Sequence, residues 1–306
     1  MKIAVTGATG FVGASLLEVL KREDANVSVL VRDQKRLSPS CDVGIVVGDL
    51  SDEKALGALC DGADAVLHLA GVTHPRDDAA YQSVNVDGAR RVAQTAAAAG
   101  AKLVHVSSLS AREREASPYA ASKRASEECL ADIGGDWRAI RLPAIYGPRD
   151  TATLPYFRLV ARGLALEPRT PVPARASLLF VEDAGRSLLA ALNAPAGGVY
   201  EVGDDQPDGR AWRDIGETLA ATLDRPVRAV RVPRFVVAGA HHVIRLGERG
   251  LGGARTVRTQ QVNEFFHADW VARNNLLSAA TSWQAEMDLK TGFAKTAHWY
   301  RENGLL

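Results

Sequence analysis

The stretch Lys2-Ile3-Ala4-Val5-Thr6-Gly7-Ala8-Thr9-Gly10-Phe11-Val12-Gly13 decides the fold of this chain. A short apolar run that ends at a glycine is typical of a strand buried on both faces of a parallel sheet. The residues after the run have helical spacing of their apolar positions. Glycines between a strand and a helix let backbone N–H groups approach a phosphate at the positive end of the helix dipole. The stretch therefore predicts a turn that holds a dinucleotide against Gly7, Gly10 and Gly13.

The rest of the chain continues to alternate short apolar runs with helical patterns. This alternation predicts an α/β fold, a Rossmann-type doubly wound parallel sheet with right-handed crossovers. Further strands are expected at 27–31, 44–47, 65–69, 103–106 and 137–142, and helices at 11–22, 52–60, 79–99 and 118–132.

After about Pro148 the pattern becomes mixed. Clustered prolines at 155, 168, 171 and 173 predict loop. Strands are then expected at 178–181 and 199–202, with helices near 182–194, 212–223 and 284–302. We expect a dinucleotide-binding domain over 1–150, to which part of 175–205 returns, and a smaller, mainly substrate-binding lobe over 151–306 above the carboxyl edge of the sheet.

Composition narrows the class of protein. The chain has 306 residues, 24% of them charged, with a formal net charge of +1. This balance does not argue for binding nucleic acid or an anionic membrane surface. Cys41, Cys60 and Cys129 are too few and too widely spaced for a disulfide framework or a metal site. Because no run approaches the ~20 apolar residues of a spanning helix, we expect a cytoplasmic protein with a small-molecule substrate, no metal and no membrane or nucleic-acid partner.

Tyr119 and Lys123 are candidates for acid/base chemistry. A spacing of four on a helix puts both side chains on one face. An ammonium group beside a phenol favours the phenolate, and so lowers the pKa of the tyrosine towards neutrality. Ser107 and Ser108, at the end of the fifth predicted strand, supply hydroxyls near the same sheet edge.

The opening turn, with its G-x-x-G-x-x-G spacing, closely resembles that of the extended short-chain dehydrogenase/reductase family, also called the NAD-dependent epimerase/dehydratase family. The resemblance covers essentially the whole chain. It continues through Gly48-Asp49-Leu50, His68-Leu69-Ala70-Gly71, Asn85-Val86-Asp87-Gly88, Arg141-Leu142-Pro143-Ala144-Ile145-Tyr146-Gly147-Pro148, Phe180-Val181-Glu182-Asp183 and Trp299-Tyr300-Arg301.

The resemblance implies where the cofactor and the substrate carbonyl lie. Tyr119 would be the general acid/base, Lys123 would tune it while holding the nicotinamide ribose, and Ser108 would hydrogen-bond the substrate oxygen. Ser110 stays open for that role, and Ser107 is expected to bond backbone. The implied cofactor contacts are Gly7, Thr9, Gly10, Phe11, Val12, Arg32, Asp49, Leu50, Leu69, Ala70, Gly71, Tyr119, Lys123 and Pro143.

The end of the second strand indicates which cofactor is used. NAD-using members carry an acid there for the ribose hydroxyls, and the matching residue here is Val31. Arg32 follows, and a guanidinium suits a 2′-phosphate. NADP(H) is therefore favoured over NAD(H). The alternative is that Arg32 is a solvated residue and that Asp33 takes the ribose.

Three functions follow from these patterns. The leading one is a nucleotide-sugar-type epimerase or reductase. The second is an NADPH-dependent carbonyl reductase resembling dihydroflavonol reductases, favoured by Arg32 and by the ten residues that separate Ser108 from Tyr119. The third is a non-catalytic NADP(H)-binding structural or sensor protein. Dehydratase chemistry is disfavoured because Leu109 and Ser110 replace the Asp-Glu pair of dehydratases.

Several weaker signals remain. His68 is expected to pack structurally, and no histidine pair has metal-ligand spacing. The run from Arg245 to Arg258 is expected to be a solvated loop, although it could instead cap an anionic substrate. Arg175, shortly before the strand expected at 178–181, could meet a substrate phosphate. A homodimer is left open.

Overall fold

The structure is a computed structural model, and it describes residues 1–37, 42–75, 77–237 and 259–306. The expectations for Cys41, for His241 and His242 and for the Arg245–Arg258 run lie outside the described residues. Elements are numbered in chain order within the described part.

A seven-stranded parallel sheet forms the centre of the molecule, which confirms the predicted fold class. Its strand order is β11-β6-β5-β4-β1-β2-β3, with every neighbouring pair parallel. Because all strands run the same way, their carboxyl ends meet at one edge, where ligands bind in such folds. The strands are β1 Lys2–Thr6, β2 Asn26–Val31, β3 Gly44–Val47, β4 Ala65–His68, β5 Lys102–Ser108, β6 Trp137–Leu142 and β11 Gly198–Glu201.

Helices cover both faces of this sheet, and each face has its own apolar core. On one face α1 and α6 pack closely, since a Cβ at Gly185 would lie 3.3 Å from the Cα of Leu16. Helices α2, α3 and α4 supply core or contacting residues on the other face. The helices are α1 Phe11–Arg22, α2 Glu53–Cys60, α3 Asp87–Ala98, α4 Pro118–Ile133 and α6 Val181–Ala190.

The later part of the chain builds three small sheets and a third core around Tyr146, Phe157, Phe293 and Tyr300. The sheets pair β10 with β7, β13 with β8, and β12 with β9 and β14. Their strands are β7 Ala144–Tyr146, β8 Leu164–Pro168, β9 Arg175–Ala176, β10 Leu178–Phe180, β12 Arg210–Ala211, β13 Arg228–Val232 and β14 Asp269–Trp270. The helices are α5 Leu154–Ala161, α7 Trp212–Leu223, α8 Thr259–Phe265, α9 Leu277–Ala280 and α10 Leu289–Glu302.

Some predicted boundaries were wrong. Pro155 lies in the first turn of α5, where its missing N–H costs nothing, and Pro168 ends β8. The helix expected over 79–99 is interrupted by a wider π-helical segment at Tyr81–Val86. The last helix begins at Leu289 instead of 284, because Asp288 caps it through the backbone N–H of Thr291.

No helix among the described residues is long and apolar enough to cross a membrane. The division at residue 150 stays a proposal. It is supported by the separate third core, and by the return of β11 to the edge of the main sheet beside β6.

Candidate active site

The predicted site residues gather at the carboxyl edge of the main sheet. Each group follows a different strand, because the parallel strands end together. The glycine turn follows β1, Arg32 follows β2, Asp49 and Leu50 follow β3, Leu69–Gly71 follow β4, Ser108 ends β5 and Pro143 follows β6. Tyr119 and Lys123 lie in α4, which packs against the end of β5.

The glycine turn leaves a cradle that only glycine can line. Gly7 has φ +77°, and a Cβ there would lie 2.5 Å from the backbone nitrogen of Ala70. A Cβ at Gly13 would lie 2.2 Å from the carbonyl oxygen of Gly7. Gly10 precedes α1, whose first-turn N–H groups have no partner within the helix. The turn therefore fits the pyrophosphate of a dinucleotide, held by backbone N–H groups.

A cavity of about 220 Å³ lies directly beside this turn. Thr9, Gly10 and Phe11 line it together with Arg36 and Arg149. Arg149 has φ +74° and follows Gly147-Pro148, so a turn brings its side chain back towards the start of α1. Two guanidinium groups beside a phosphate-binding turn suit an anionic ligand. Sequence reasoning did not single out Arg149, although its place after a Gly-Pro turn was visible.

At the end of β2, the predicted Val31 is buried and Arg32 is exposed. The carboxylate of Asp33 accepts a hydrogen bond from the backbone N–H of Lys35 at 3.0 Å and caps a short 3₁₀ helix. One carboxylate oxygen of Asp33 is thus already hydrogen-bonded to the backbone of its own loop. Asp49 similarly accepts hydrogen bonds from Ser51, which lower its pKa.

Three of the predicted cofactor contacts point apolar side chains into the protein. Val12 and Leu69 pack against the core on one face of the sheet, and Leu50 against the core on the other. All three side chains are partly buried in this packing. Pro143 is buried between β6 and β7.

The structure places Ser108, Tyr119 and Lys123 together. The side chain of Ser108 favours the phenolate of Tyr119 and so acts to lower the pKa of the phenol. The ammonium of Lys123 donates to the carbonyl of Val106 at 3.0 Å, and a Cβ at Gly71 would lie 3.3 Å from its Nζ. Lys123 therefore reaches from α4 to the loop after β4, where the resemblance puts the nicotinamide ribose.

Burial shifts the pKa values of both titratable side chains of this cluster, Tyr119 and Lys123. Tyr119 keeps partial solvent exposure as a residue, but desolvation raises the pKa of its phenol above the usual value, against the opposing effect of Ser108. Desolvation lowers the pKa of Lys123 to about 8, and the charge of Glu127 opposes this. Tyr119 is thus protonated at neutral pH in the protein without a ligand, which suits donation of a proton.

The other two serines make different contacts. Ser107 donates to the carboxylate of Glu127 at 2.6 Å, so the expectation that it bonds backbone was wrong. Ser110 donates from its backbone N–H and its hydroxyl to the Oγ of Ser108. Of the three serines, Ser108 is the one that acts on the pKa of Tyr119.

A buried ion pair fixes the elements that carry these groups. Glu127 in α4 accepts two hydrogen bonds from the guanidinium of Arg141 in β6, at 2.9 and 2.7 Å. Arg141 also lies 3.5 Å from Glu201 in β11. Because Ser107 in β5 shares the same carboxylate, the pair joins α4 to three strands directly below the site.

Two residues from the second half of the chain form hydrogen bonds to the residues at the start of α4. Glu264 accepts a hydrogen bond from Ser117, the N-cap residue of α4, at 2.5 Å. Burial raises the pKa of Glu264, and its charge acts on Tyr119. Asn263 donates to the carbonyl of Ala116 at 3.2 Å. Sequence reasoning missed both residues, since each lies 147 positions from its partner and carries no motif.

His68 packs inside the protein as expected. It lies hydrogen-bonded to Thr6 at 2.6 Å and stacked on His105, and burial lowers its pKa to about 3. Asn85 clamps the loop after β4 through its bonds to both backbone groups of Val72. Among the described residues no group of His, Cys, Asp and Glu is placed to hold a metal ion.

Several known proteins resemble this chain in sequence or in fold. Ceramide reductase of Caulobacter vibrioides is 35% identical over 99% of this chain and 96% of its own length. The 3-diazoavenalumate denitrifying reductase of a Streptomyces species is 30% identical over 77% of this chain and 87% of its own. UDP-glucose 4-epimerase of Thermus thermophilus, solved with NAD, superposes with a TM-score of 0.69 over 98% of this chain and 99% of the epimerase, a likeness of fold at 20% identity.

The sequence model of the NAD dependent epimerase/dehydratase family matches residues 3–203. That span contains the glycine turn, Ser108, Tyr119 and Lys123, six strands of the main sheet in full and β1 from its second residue onward. The chain belongs to the NAD dependent epimerase/dehydratase family.

Proposed function

We propose that the protein is an NADPH-dependent carbonyl reductase that acts on a keto group of a ceramide-like substrate, an N-acylated long-chain amino alcohol in its ketone form. The observation that carries the proposal is the 35% identity with a ceramide reductase over nearly the full length of both chains. This proposal reverses the order of the two catalytic hypotheses drawn from the sequence.

The chemistry of the cluster supports a reduction. The cofactor would supply a hydride to the carbonyl carbon, and Tyr119 would donate the matching proton to the carbonyl oxygen. Ser108, whose side chain acts on the pKa of the Tyr119 phenol, would hold that oxygen beside the phenol. Lys123 would bind the nicotinamide ribose, and its charge would stabilise the phenolate that remains after proton transfer.

The preference for NADP(H) stays a prediction. It is supported by the buried Val31 in place of an acid, by the exposed Arg32, and by Arg36 in the cavity beside the glycine turn. Reductions commonly draw on the phosphorylated cofactor, which is consistent with this set of arginines. The cytoplasmic location also stays a prediction, and a homodimer stays open.

The nucleotide-sugar epimerase is the second candidate. It is favoured by the shared fold of sugar-nucleotide enzymes such as UDP-glucose 4-epimerase, which at 20% identity bears on the fold and not on the substrate. The third candidate, a non-catalytic binding protein, has no need of a hydroxyl pair such as Ser108 and Tyr119.

The proposal is tested by supplying purified protein with NADPH and a long-chain N-acyl amino ketone, and following the nucleotide and the alcohol product. We expect stoichiometric consumption of both substrates. Tyr119→Phe should lose about 10²-fold or more of the rate while it still binds NADPH. Interconversion of UDP-sugars without net nucleotide consumption would overturn the reductase in favour of the epimerase.

A further inference from the structure

One end of the sheet formed by β8 and β13 exposes large apolar side chains. Phe235 is 76% exposed, Val172 59% and Val236 46%. The two strands are parallel, with Pro168 opposite Val232, and all three side chains follow the carboxyl ends of these strands within a few residues. Exposed apolar patches of this kind mark contact surfaces in otherwise well-packed proteins.

Arginines surround the same end of this sheet. Arg169, Arg213 and Arg231 line a cavity of about 270 Å³ with Pro171 and Trp212, and the exposed Arg234 lies one residue before Phe235. These four guanidinium groups face three carboxylates, those of Glu167 and Asp214 beside the cavity and that of Glu217, whose charge acts on Arg213. Glu167 is buried and paired with Arg213 and Arg231. The patch is therefore basic as well as apolar, although the whole chain has a net charge of only +1.

This basic apolar patch lies close to the active site through a short chain of contacts. The guanidinium of Arg234 donates to the side-chain oxygen of Asn263. The amide of Asn263 donates in turn to the carbonyl of Ala116, at the start of the helix that carries Tyr119. The patch is thus joined to the residues that precede the helix carrying Tyr119.

We propose that this patch, formed by Val172, Phe235 and Val236 with Arg169, Arg213, Arg231 and Arg234, docks the protein on the surface of an anionic lipid bilayer. The apolar side chains enter the interface between headgroups and acyl chains, and the guanidinium groups bind lipid phosphates. The choice of a bilayer rests on the proposed function, because a long-chain lipid substrate resides in a membrane, and on the pairing of apolar exposure with positive charge.

The test is cosedimentation of the full-length protein with vesicles of phosphatidylcholine and phosphatidylglycerol. Phe235→Ser combined with Val236→Ser should weaken binding about tenfold or more, given the usual gain from burying such side chains. Ile45→Ser combined with Val47→Ser is the matched control, since these side chains are also exposed but lie on the edge strand β3. The control should bind as the wild type does.

Charge is tested separately. Arg169→Glu should weaken binding to the anionic vesicles, and wild-type binding should fall with added salt and on vesicles of phosphatidylcholine alone. Equal binding by the wild type and the Phe235/Val236 variant would overturn the proposal. So would an absence of vesicle binding combined with self-association that the same variant abolishes, because the patch would then join two copies of the chain.

A water-soluble, short-chain ketone separates this inference from the proposed function. The Phe235/Val236 variant should reduce it at the wild-type rate, yet reduce a vesicle-embedded ketone more slowly. Vesicle binding that depends on the patch, in a protein that reduces no ketone, would overturn the proposed function alone. Ketone reduction without vesicle binding would overturn the docking surface alone.

Discussion

Replacing Glu127 with alanine tests whether the buried ion pair below the active site holds it together. The carboxylate accepts hydrogen bonds from Ser107 at 2.6 Å and from Arg141 at 2.9 and 2.7 Å. The side chains of Glu127 and Arg141 are 3% and 10% exposed. Removing one partner of a buried pair costs about 3–5 kcal/mol, because the other charge stays buried. Since Glu201 stays 3.5 Å from Arg141, we expect a loss of about 3 kcal/mol.

The neighbouring residue gives a matched control. Glu128 in the same helix pairs with Arg124 at 2.9 Å, but both side chains are more than 40% exposed. Such pairs contribute about 0.3–0.5 kcal/mol, so Glu128→Ala should shift stability by no more than that. Urea unfolding of both variants and the wild type gives the free energies of unfolding. Losses for Glu127→Ala and Glu128→Ala that agree within error would refute the reasoning.

Three further predictions concern the cofactor site and the lysine. Arg36→Ala should weaken NADPH binding roughly 10-fold or more, because a charged hydrogen-bond donor is lost, and should change NADH binding little. Fluorescence titration measures both affinities. Equal losses for the two nucleotides would show that Arg36 does not bind a 2′-phosphate. Gly7→Ala should abolish binding of both nucleotides and destabilise the fold by at least about 1 kcal/mol, because the added Cβ would lie 2.5 Å from the backbone nitrogen of Ala70. Nucleotide binding retained by this variant would show that the turn at Gly7 does not hold the pyrophosphate. The pKa of Lys123 is about 8 in the folded protein and about 10.4 in the unfolded chain. Between pH 8 and pH 10.4 the unfolded state therefore binds more protons than the folded state. The free energy of unfolding consequently rises with pH over this range. The wild type should therefore gain up to about 3 kcal/mol relative to Lys123→Met between pH 8 and 10.4, and parallel pH profiles would contradict the shift.

Much of the main sheet was predictable because its signals are local. The predicted strands 44–47 and 137–142 match β3 and β6, since an apolar run bounded by turn residues predicts a strand, whether exposed at the sheet edge as β3 is or buried as β6 is. The cluster of Ser108, Tyr119 and Lys123 was accessible for the same reason, as a spacing on one helix and a position at one strand end.

The features that the sequence did not predict depend on contacts between distant parts of the chain. Glu127 looked like any helix-surface acid, and only the strand order brings Arg141 and Ser107 to it. Glu264 reaches α4 from the far end of the chain, and the patch around Phe235 exists only because β8 pairs with β13. A periodicity within one segment carries no information about such pairings.

The most direct test of the proposed reductase is transfer of deuterium from C4 of labelled NADPH. In a single turnover with a long-chain N-acyl amino ketone, the wild type should place one deuterium on the new carbinol carbon, as read by mass spectrometry. Tyr119→Phe should bind the nucleotide and transfer the label far more slowly. Absence of label in the alcohol, or a Tyr119→Phe variant as fast as the wild type, would contradict the account.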